Sequence, residues 1–359
     1  MSPAGARAED PVAGIRRVRV RLGPAVAIAA HHYQRPEIVA LADFTGDSYR
    51  LAVEAAASRA RYIVFCGVRF MAESAAILAR PGQEVLIPDP GAGCPMADMI
   101  DAAAAAAVLA RLDTLTGSEV APVTYMNSSA DMKAVTGARG GSVCTSGNAA
   151  AVLSRFLDRG RSVFFSPDRN LGWNTARALG LDGSRVFTVR RDGSIDGTGD
   201  PSRAALFLWD GHCHVHRRFT VADLEAARAR VPGVTVMVHP ECDGPVAAAA
   251  DRTGSTEAIL EAVRAGGPGS AWAVGTEAGF VHRLAAAMPD RTVLPLRESY
   301  CMNMARIDAA GLYATLRSVE DRLDGGTGPL YHPVTVGVSV REDAARALTA
   351  MIDTVAGAR

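Results

Sequence analysis

The chain has 359 residues, of which 48% are apolar and 21% charged, and its formal net charge is zero. That length suits two or three α/β domains, and the balance excludes the low hydrophobicity that keeps a chain disordered. It also lacks the excess of Lys and Arg that binding a phosphate backbone requires; with no apolar run long enough for a bilayer and no apolar segment in the opening MSPAGARAEDPVAG, a cytoplasmic protein that binds neither nucleic acid nor membrane is expected.

Along the chain one order of elements recurs. AVAIAAHHYQ (25–34) reads as a buried apolar strand that runs into polar groups, and Pro36 starts a helix after it. GDS (46–48) opens an amphipathic helix through LAVEAAASRA, YIVFCGV (62–68) is a second strand, a helix through MAESAAIL follows, and EVLIPDPGAGC brings Cys94 just past a third strand. The plan repeats as VAPVTYMN (120–127), CTSGN (144–148) opening a helix, SVFFSPD (162–168) and AALFLWDGHC (204–213), which ends on Cys213. It repeats again as VTVMVHPE (234–241), GST (254–256) opening a helix, AWAVGTE (271–277) and TVLPLRESYC (292–301), which ends on Cys301. RRDGSIDGTGDPSR (190–203) reads as a peripheral surface loop inserted in the second unit. After residue 304 come an amphipathic helix, the turn-rich DGGTGP, the strand-like VTVGVSV (334–340) and a final helix from Glu342.

Strands alternating with helices imply parallel sheets whose C-terminal strand edges gather a ligand site. The expected fold class is therefore α/β, with three related αβα domains at 15–104, 105–222 and 223–304 arranged about a pseudo-threefold axis. Residues 305–359 form an extension without an assigned place.

Cys66, Cys94, Cys144, Cys213, Cys242 and Cys301 include no CxxC pair, and in a reducing compartment they are free thiols or metal ligands. Only Cys94, Cys213 and Cys301 occupy equivalent positions in the repeat, so those three are the candidate metal ligands. Zinc could take three thiolates, although structural zinc usually draws on closely spaced Cys pairs. A 4Fe-4S cluster accepts distant Cys, and three ligands leave one iron open to act as a Lewis acid, which points to a lyase or synthase more than to an electron carrier. The helix starts at Asp47-Ser48, Thr145-Ser146 and Ser255-Thr256 offer backbone N–H groups and hydroxyls to phosphate or carboxylate. His31 with Tyr33, Tyr125 with Asn127, and His239 with Glu241 stand two residues apart at strand ends, on one face of an extended strand, and can move protons or orient oxygens. Lys133, the one lysine in a chain otherwise served by Arg, reads as a solvated charge on a helix face.

Taken in order, AHHYQRPEI, ADFTGDS, FCGVRFMAE, PDPGAGCPMADM, TYMNSSADMKA, CTSGNA, SPDRNLG, WDGHCHVH, HPEC, DRTGST, VGTE and CMNM resemble the quinolinate synthase family over about residues 25–304. The resemblance implies a 4Fe-4S cluster on Cys94, Cys213 and Cys301 with one open iron site, and excludes Cys66, Cys144 and Cys242 as ligands. It implies condensation of iminoaspartate with dihydroxyacetone phosphate to quinolinate, with loss of phosphate and water, in de novo NAD synthesis, and a functional link to L-aspartate oxidase. Under it, Tyr33, Tyr125, His239 and Glu241 are the catalytic candidates. His31, Ser48, Tyr125, Asn127, Ser146, His239, Glu241, Ser255 and Thr256 are the substrate-binding ones. An iron–sulfur paralogue acting on another keto-phosphate or imino acid is the alternative, and a dicarboxylate-binding iron–sulfur sensor is a more distant one.

Overall fold

Strands buried on both faces need helices on both sides, and three sheets in this chain are built that way. The structure is a computed structural model that describes residues 10–357, so the first part of the opening segment and the end of the C-terminal extension lie outside the described residues. In the first sheet β1 (Val26–His31), β2 (Phe44–Gly46), β3 (Tyr62–Cys66) and β4 (Glu84–Leu86) lie in the order β2-β1-β3-β4, all parallel. The second holds β5 (Ala121–Tyr125), β6 (Ser142–Cys144), β7 (Val163–Ser166), β8 (Val186–Val189), β9 (Ile195–Asp196) and β10 (Leu206–Trp209) in the order β6-β5-β7-β10-β8-β9. In the third, β11 (Thr235–Val238), β12 (Arg252–Thr253), β13 (Ala271–Gly275) and β14 (Thr292–Pro295) repeat the first order as β12-β11-β13-β14, again parallel. Every residue of β1, β3, β5, β7 and β10 is buried, which explains why these strands read as unbroken apolar runs.

Several details differ from the sequence expectation. The short strands β2, β6 and β12 precede the small polar triplets and are only two or three residues long, too short for a hydrophobic pattern. Residues 190–203 are exposed or half-buried, but they are not a plain loop: β9 folds back on β8 as the antiparallel edge of the second sheet, and Pro201–Arg203 forms a 3-10 turn. The run VTVGVSV is no strand. Its first residue reaches the edge of β4, with Val334 N donating to Val85 O at 2.8 Å, while its last three open the helix Val338–Gly357, four residues before the expected start.

Both ends of the chain cover the first two sheets. The helix Pro11–Leu22 packs its buried Ile15, Val18 and Leu22 on the helix Ala309–Leu323, which buries Leu312, Leu316 and Val319. Arg21 adds ion pairs to Glu320 at 2.7 Å and Asp324 at 2.8 Å across that contact. Val338–Gly357 buries Ala344, Ala347, Leu348 and Met351 against the helix Ala130–Ala138. One apolar cluster thus runs from Ile28 and Val64 through Val143 and Phe165 to Leu348, whereas the third sheet has separate clusters around Trp272 and around Val236.

Lys133 corrects the sequence reading outright. It lies on the inner face of Ala130–Ala138, with none of its surface exposed. Its Nζ donates to Met126 O at 3.0 Å and Ser128 O at 2.5 Å, and stands 5.6 Å from the Phe70 ring centre. Those carbonyls belong to the turn after β5, where the sheet ladder has ended and they need other donors. Burial pushes the Lys133 amine down to about 7. A neutral amine has two N–H bonds, one for each carbonyl.

Two outcomes follow from this packing. A Cβ on Gly137 would overlap the main-chain carbonyl of Asp343, so Gly137→Ala should push the two helices apart and cost about 1–3 kcal/mol in thermal unfolding; an unchanged midpoint would show that the contact relaxes freely. For Lys133 the folded chain holds the amine near 7 while the unfolded chain keeps it near ~10.4, so the unfolded state binds more protons between those values. Stability of the wild type relative to Lys133→Met should therefore rise with pH from about 7 upward, by at most about 1.4 kcal/mol per unit. Urea unfolding at pH 7, 8 and 9 measures it, and a pH-independent difference would mean that the ammonium stays charged in the fold.

Candidate active site

The C-terminal ends of β1, β5 and β11 and the loops after β4, β10 and β14 border one cavity of about 70 Å³. Cys94, Cys213 and Cys301 all line it, eight, four and six residues beyond their strands and not at the strand ends themselves. All three are half-buried and free of disulfides, while Cys66, Cys144 and Cys242 are fully buried.

The strand-end pairs also meet there, for a reason other than the expected one. β1, β5 and β11 stop at His31, Tyr125 and Val238, so the second residue of each pair sits in a turn and not on a continued strand. In two of the turns the histidine ring holds the bend: His31 Nδ1 accepts from Tyr33 N at 3.1 Å, and His239 Nδ1 accepts from Glu241 N at 3.3 Å. In the second unit Ser128 Oγ takes that part, donating to Tyr125 O at 2.9 Å. All six side chains line the cavity.

The polar helix starts divide. Asp47 caps the helix Ser48–Ala57, and Ser48 faces the cavity. Ser255 caps Thr256–Ala265 by accepting from Ala258 N at 3.3 Å, which leaves Thr256 on the cavity wall and Ser255 behind it. In the second unit the helix begins only at Ala149, because Asn148 folds back to accept from Thr145 N at 2.6 Å. Thr145 and Ser146 therefore lie a turn before the helix; both line the cavity, and Ser146 Oγ is 3.2 Å from His239 Nε2. Among the described residues the buried oxygens Asn127 Oδ1 and Thr145 Oγ1 have no partner, although such groups are normally hydrogen-bonded.

A hydrogen-bonded chain crosses the site. Thr256 Oγ1 donates to Tyr33 Oη at 3.2 Å, Tyr33 Oη is 2.6 Å from Thr276 Oγ1, and Thr276 Oγ1 is 3.0 Å from His216 Nε2. His216 Nδ1 lies 2.7 Å from Glu241 Oε2, and Glu241 Oε1 accepts from Tyr125 OH at 2.5 Å. With the His216 proton on Nδ1, each donor in this chain meets an acceptor. The His239 ring stacks on that of His216, centres 4.3 Å apart. Sequence reasoning missed His216 and Thr276. His216 stands three residues after Cys213, a spacing that could have flagged it; nothing marks Thr276 within VGTE.

Burial is the leading influence on Glu241, His239, His31, Tyr33 and Tyr125. It is the largest influence on Glu241 and pushes its carboxyl up, but His216, His239 and the hydrogen bonds together outweigh it and hold the acid below the usual carboxylate range. Burial drives His239 down to about 3 and His31 well below the ordinary histidine value, and it raises both Tyr33 and Tyr125, the latter helped by the Glu241 charge. At neutral pH Glu241 is therefore a carboxylate, His31 and His239 are neutral imidazoles, and Tyr33 and Tyr125 keep their phenolic protons.

Burial also raises Cys94 to about 12 and lifts Cys213 and Cys301. Three buried thiols around one space ionise together only against compensating positive charge, so the donor set fits a metal centre. Their loops are cross-braced: Asn303 Nδ2 donates to Gly93 O at 2.8 Å, Ser299 Oγ to Val215 O at 2.8 Å, and Trp209 Nε1 to Met99 O at 3.0 Å. A second set of ligand atoms overlaps the first, since Cys213, His216 and Glu241 each bring one within 4.8 Å of the others.

Comparison with known proteins places the chain in a family. The profile of the family described as quinolinate synthetase A protein matches residues 15–353. A quinolinate synthase of Streptomyces coelicolor is 47% identical over 324 residues, 87% of this chain and 82% of that protein. One from a Geobacillus species is 41% identical, covering 96% of this chain and 93% of its own, and one from a Nocardioides species is 45% identical over 87% and 83%. With the profile spanning nearly the whole chain, this protein belongs to the quinolinate synthetase A family.

Proposed function

We propose that the chain condenses iminoaspartate with dihydroxyacetone phosphate to quinolinate, losing phosphate and water, in the synthesis of NAD. The observation that carries this reading is the cavity itself, where three free cysteines and a relay ending on a buried carboxylate face the same space. Cys94, Cys213 and Cys301 are the ligands of a 4Fe-4S cluster. Bound there, such a cluster supplies one iron without a protein ligand, a Lewis acid for a substrate oxygen or nitrogen.

The remaining chemistry belongs to side chains. Tyr33 is the base that assists enolisation of the triose phosphate. Its phenol is hard to ionise alone, but its proton can pass through Thr276 to His216 Nε2, and Glu241 stabilises the imidazolium that results. Tyr125, which donates to the other Glu241 oxygen, and His239, stacked on His216, complete the proton-handling set. Ser48, Asn127, Ser146 and Thr256 hold carboxylate and phosphate, with neutral His31 as an additional donor. Ser255 aligns Thr256 through its cap and keeps its own hydroxyl hydrogen to donate.

The reading is tested by anaerobic incubation of iron–sulfur-loaded protein with dihydroxyacetone phosphate and freshly made iminoaspartate. Quinolinate should form; its absence with an intact iron–sulfur centre would point to another keto-phosphate or imino acid. Glu241→Gln keeps the shape but removes the charge that stabilises the imidazolium, so turnover should fall ~100-fold to ~10,000-fold with iron retained. A variant keeping most of its rate would reduce Glu241 to a positional role. Cys94→Ala, Cys213→Ala and Cys301→Ala should each lose most of their iron and brown absorbance under anaerobic purification. Cys66→Ser, Cys144→Ser and Cys242→Ser should keep iron near wild type, at a packing cost of about 1–3 kcal/mol. Iron per chain across the six variants decides the ligand set, and an iron-free Cys66→Ser beside an iron-loaded Cys94→Ala would refute it.

A further inference from the structure

The Cys213, His216 and Glu241 set draws one thiol, one imidazole and one carboxylate from two elements, the loop after β10 and the turn after β11. It needs neither Cys94 nor Cys301. One sulfur, one nitrogen and one oxygen is a donor set that zinc accepts, with three protein ligands and a fourth position left open. In a tetrahedron with bonds of about 2.0–2.3 Å the ligand atoms stand roughly 3.3–3.8 Å apart. His216 Nδ1 and Glu241 Oε2, now 2.7 Å apart, would open slightly, and the widest pair, no more than 4.8 Å apart, would close by about an ångström.

The surroundings already orient these ligands as a metal site requires. His216 Nε2 is fixed by Thr276 at 3.0 Å, which leaves Nδ1 for the ion, and Glu241 Oε1 is held by Tyr125 at 2.5 Å, which leaves Oε2. The main chain next to the thiol is tied by Arg217 N donating to Cys213 O at 3.0 Å. All three residues line the cavity, which gives the ion a way in and a place for its fourth ligand.

We propose that the chain without its iron–sulfur centre binds a zinc ion on Cys213 Sγ, His216 Nδ1 and Glu241 Oε2, and that this ion competes with cluster assembly by occupying Cys213. The Cys213 proton leaves to solvent as the zinc–sulfur bond forms, and His216 changes tautomer, giving up its Nδ1 proton and taking one on Nε2, where Thr276 Oγ1 accepts it. Zinc also separates His216 from Glu241 and so interrupts the relay. The competition, though not the zinc site, rests on the reading of Cys213 as a cluster ligand.

The test uses the full chain, stripped of metal with a chelator and kept reduced without oxygen. Zinc chloride is titrated against a chromophoric chelator, and cobalt chloride replaces it for spectroscopy. Wild type, Cys94→Ala and Cys301→Ala should each bind a single zinc equally well, while Cys213→Ser, His216→Asn and Glu241→Gln should bind at least about tenfold more weakly. Cobalt in the wild type should give thiolate charge-transfer and tetrahedral d–d bands, a readout that does not depend on any variant folding. Equal loss of zinc in Cys94→Ala and Cys301→Ala, an octahedral cobalt spectrum, or no tight zinc in the wild type would overturn the site. In a second arm, ferrous iron and sulfide are supplied with and without bound zinc. Zinc should lower iron uptake several-fold, and unchanged uptake would overturn the competition. Wild type that takes up no iron even without zinc would instead count against the proposed cluster, with the zinc titration still deciding the zinc site.

Discussion

An ionised carboxylate in a protein interior must be matched by partners, and Glu241 has drawn its partners from separate parts of the chain. Only 3% of its surface is exposed. Tyr125 reaches it from the end of β5, His216 from the loop after β10, and His239 from its own turn. Asn170 and Asn174, on the helix after β7, fasten the same turn from behind by donating to Glu241 O, Pro240 O and Cys242 O. Satisfying this one charge therefore obliges the second and third sheets to present their strand ends to each other. Tyr33, linked to the same chain through Thr276, brings in the first.

That constraint places the cysteines as well. The three cysteine loops leave β4, β10 and β14 where the strand ends already face one another; Asn303 and Ser299 of the β14 loop donate to carbonyls of the other two, and Gln34 Nε2 donates to Met304 O at 3.1 Å just beyond Cys301. The thiols themselves are held in their protonated form by burial. The cavity's Asn127 and Thr145 oxygens, unpartnered among the described residues, leave polar capacity for a ligand. Lys133 works one layer further out, pinning the turn that carries Asn127.

The sheets were legible because their central strands are buried on both faces, and a run such as Tyr62–Cys66 has no competing periodicity. Equivalent cysteines and strand-end pairs could be read for the same reason, since position in the repeat depends only on element order. What escaped was set by tertiary contact. VTVGVSV has the alternation of a strand, but Gly137 lets a helix from this region pack closely on another, and the segment became the start of that helix. Lys133 has the spacing of any helix residue, and its burial is explained only by the two carbonyls of a neighbouring turn that its amine reaches. Thr276 is an ordinary strand-end threonine until Tyr33 and His216 are seen on either side of it.

In the proposed reaction Tyr33, Thr276, His216 and Glu241 act as one proton path and not as separate polar groups. Kinetics of Tyr33→Phe, His216→Asn and the double variant, all measured on iron–sulfur-loaded protein at equal iron content, address it most directly. Groups that act as a unit lose nearly everything when the first is removed. The double variant should be about as slow as the slower single one. Losses in kcat that multiply across the two substitutions would show that Tyr33 and His216 contribute independently, and would contradict it.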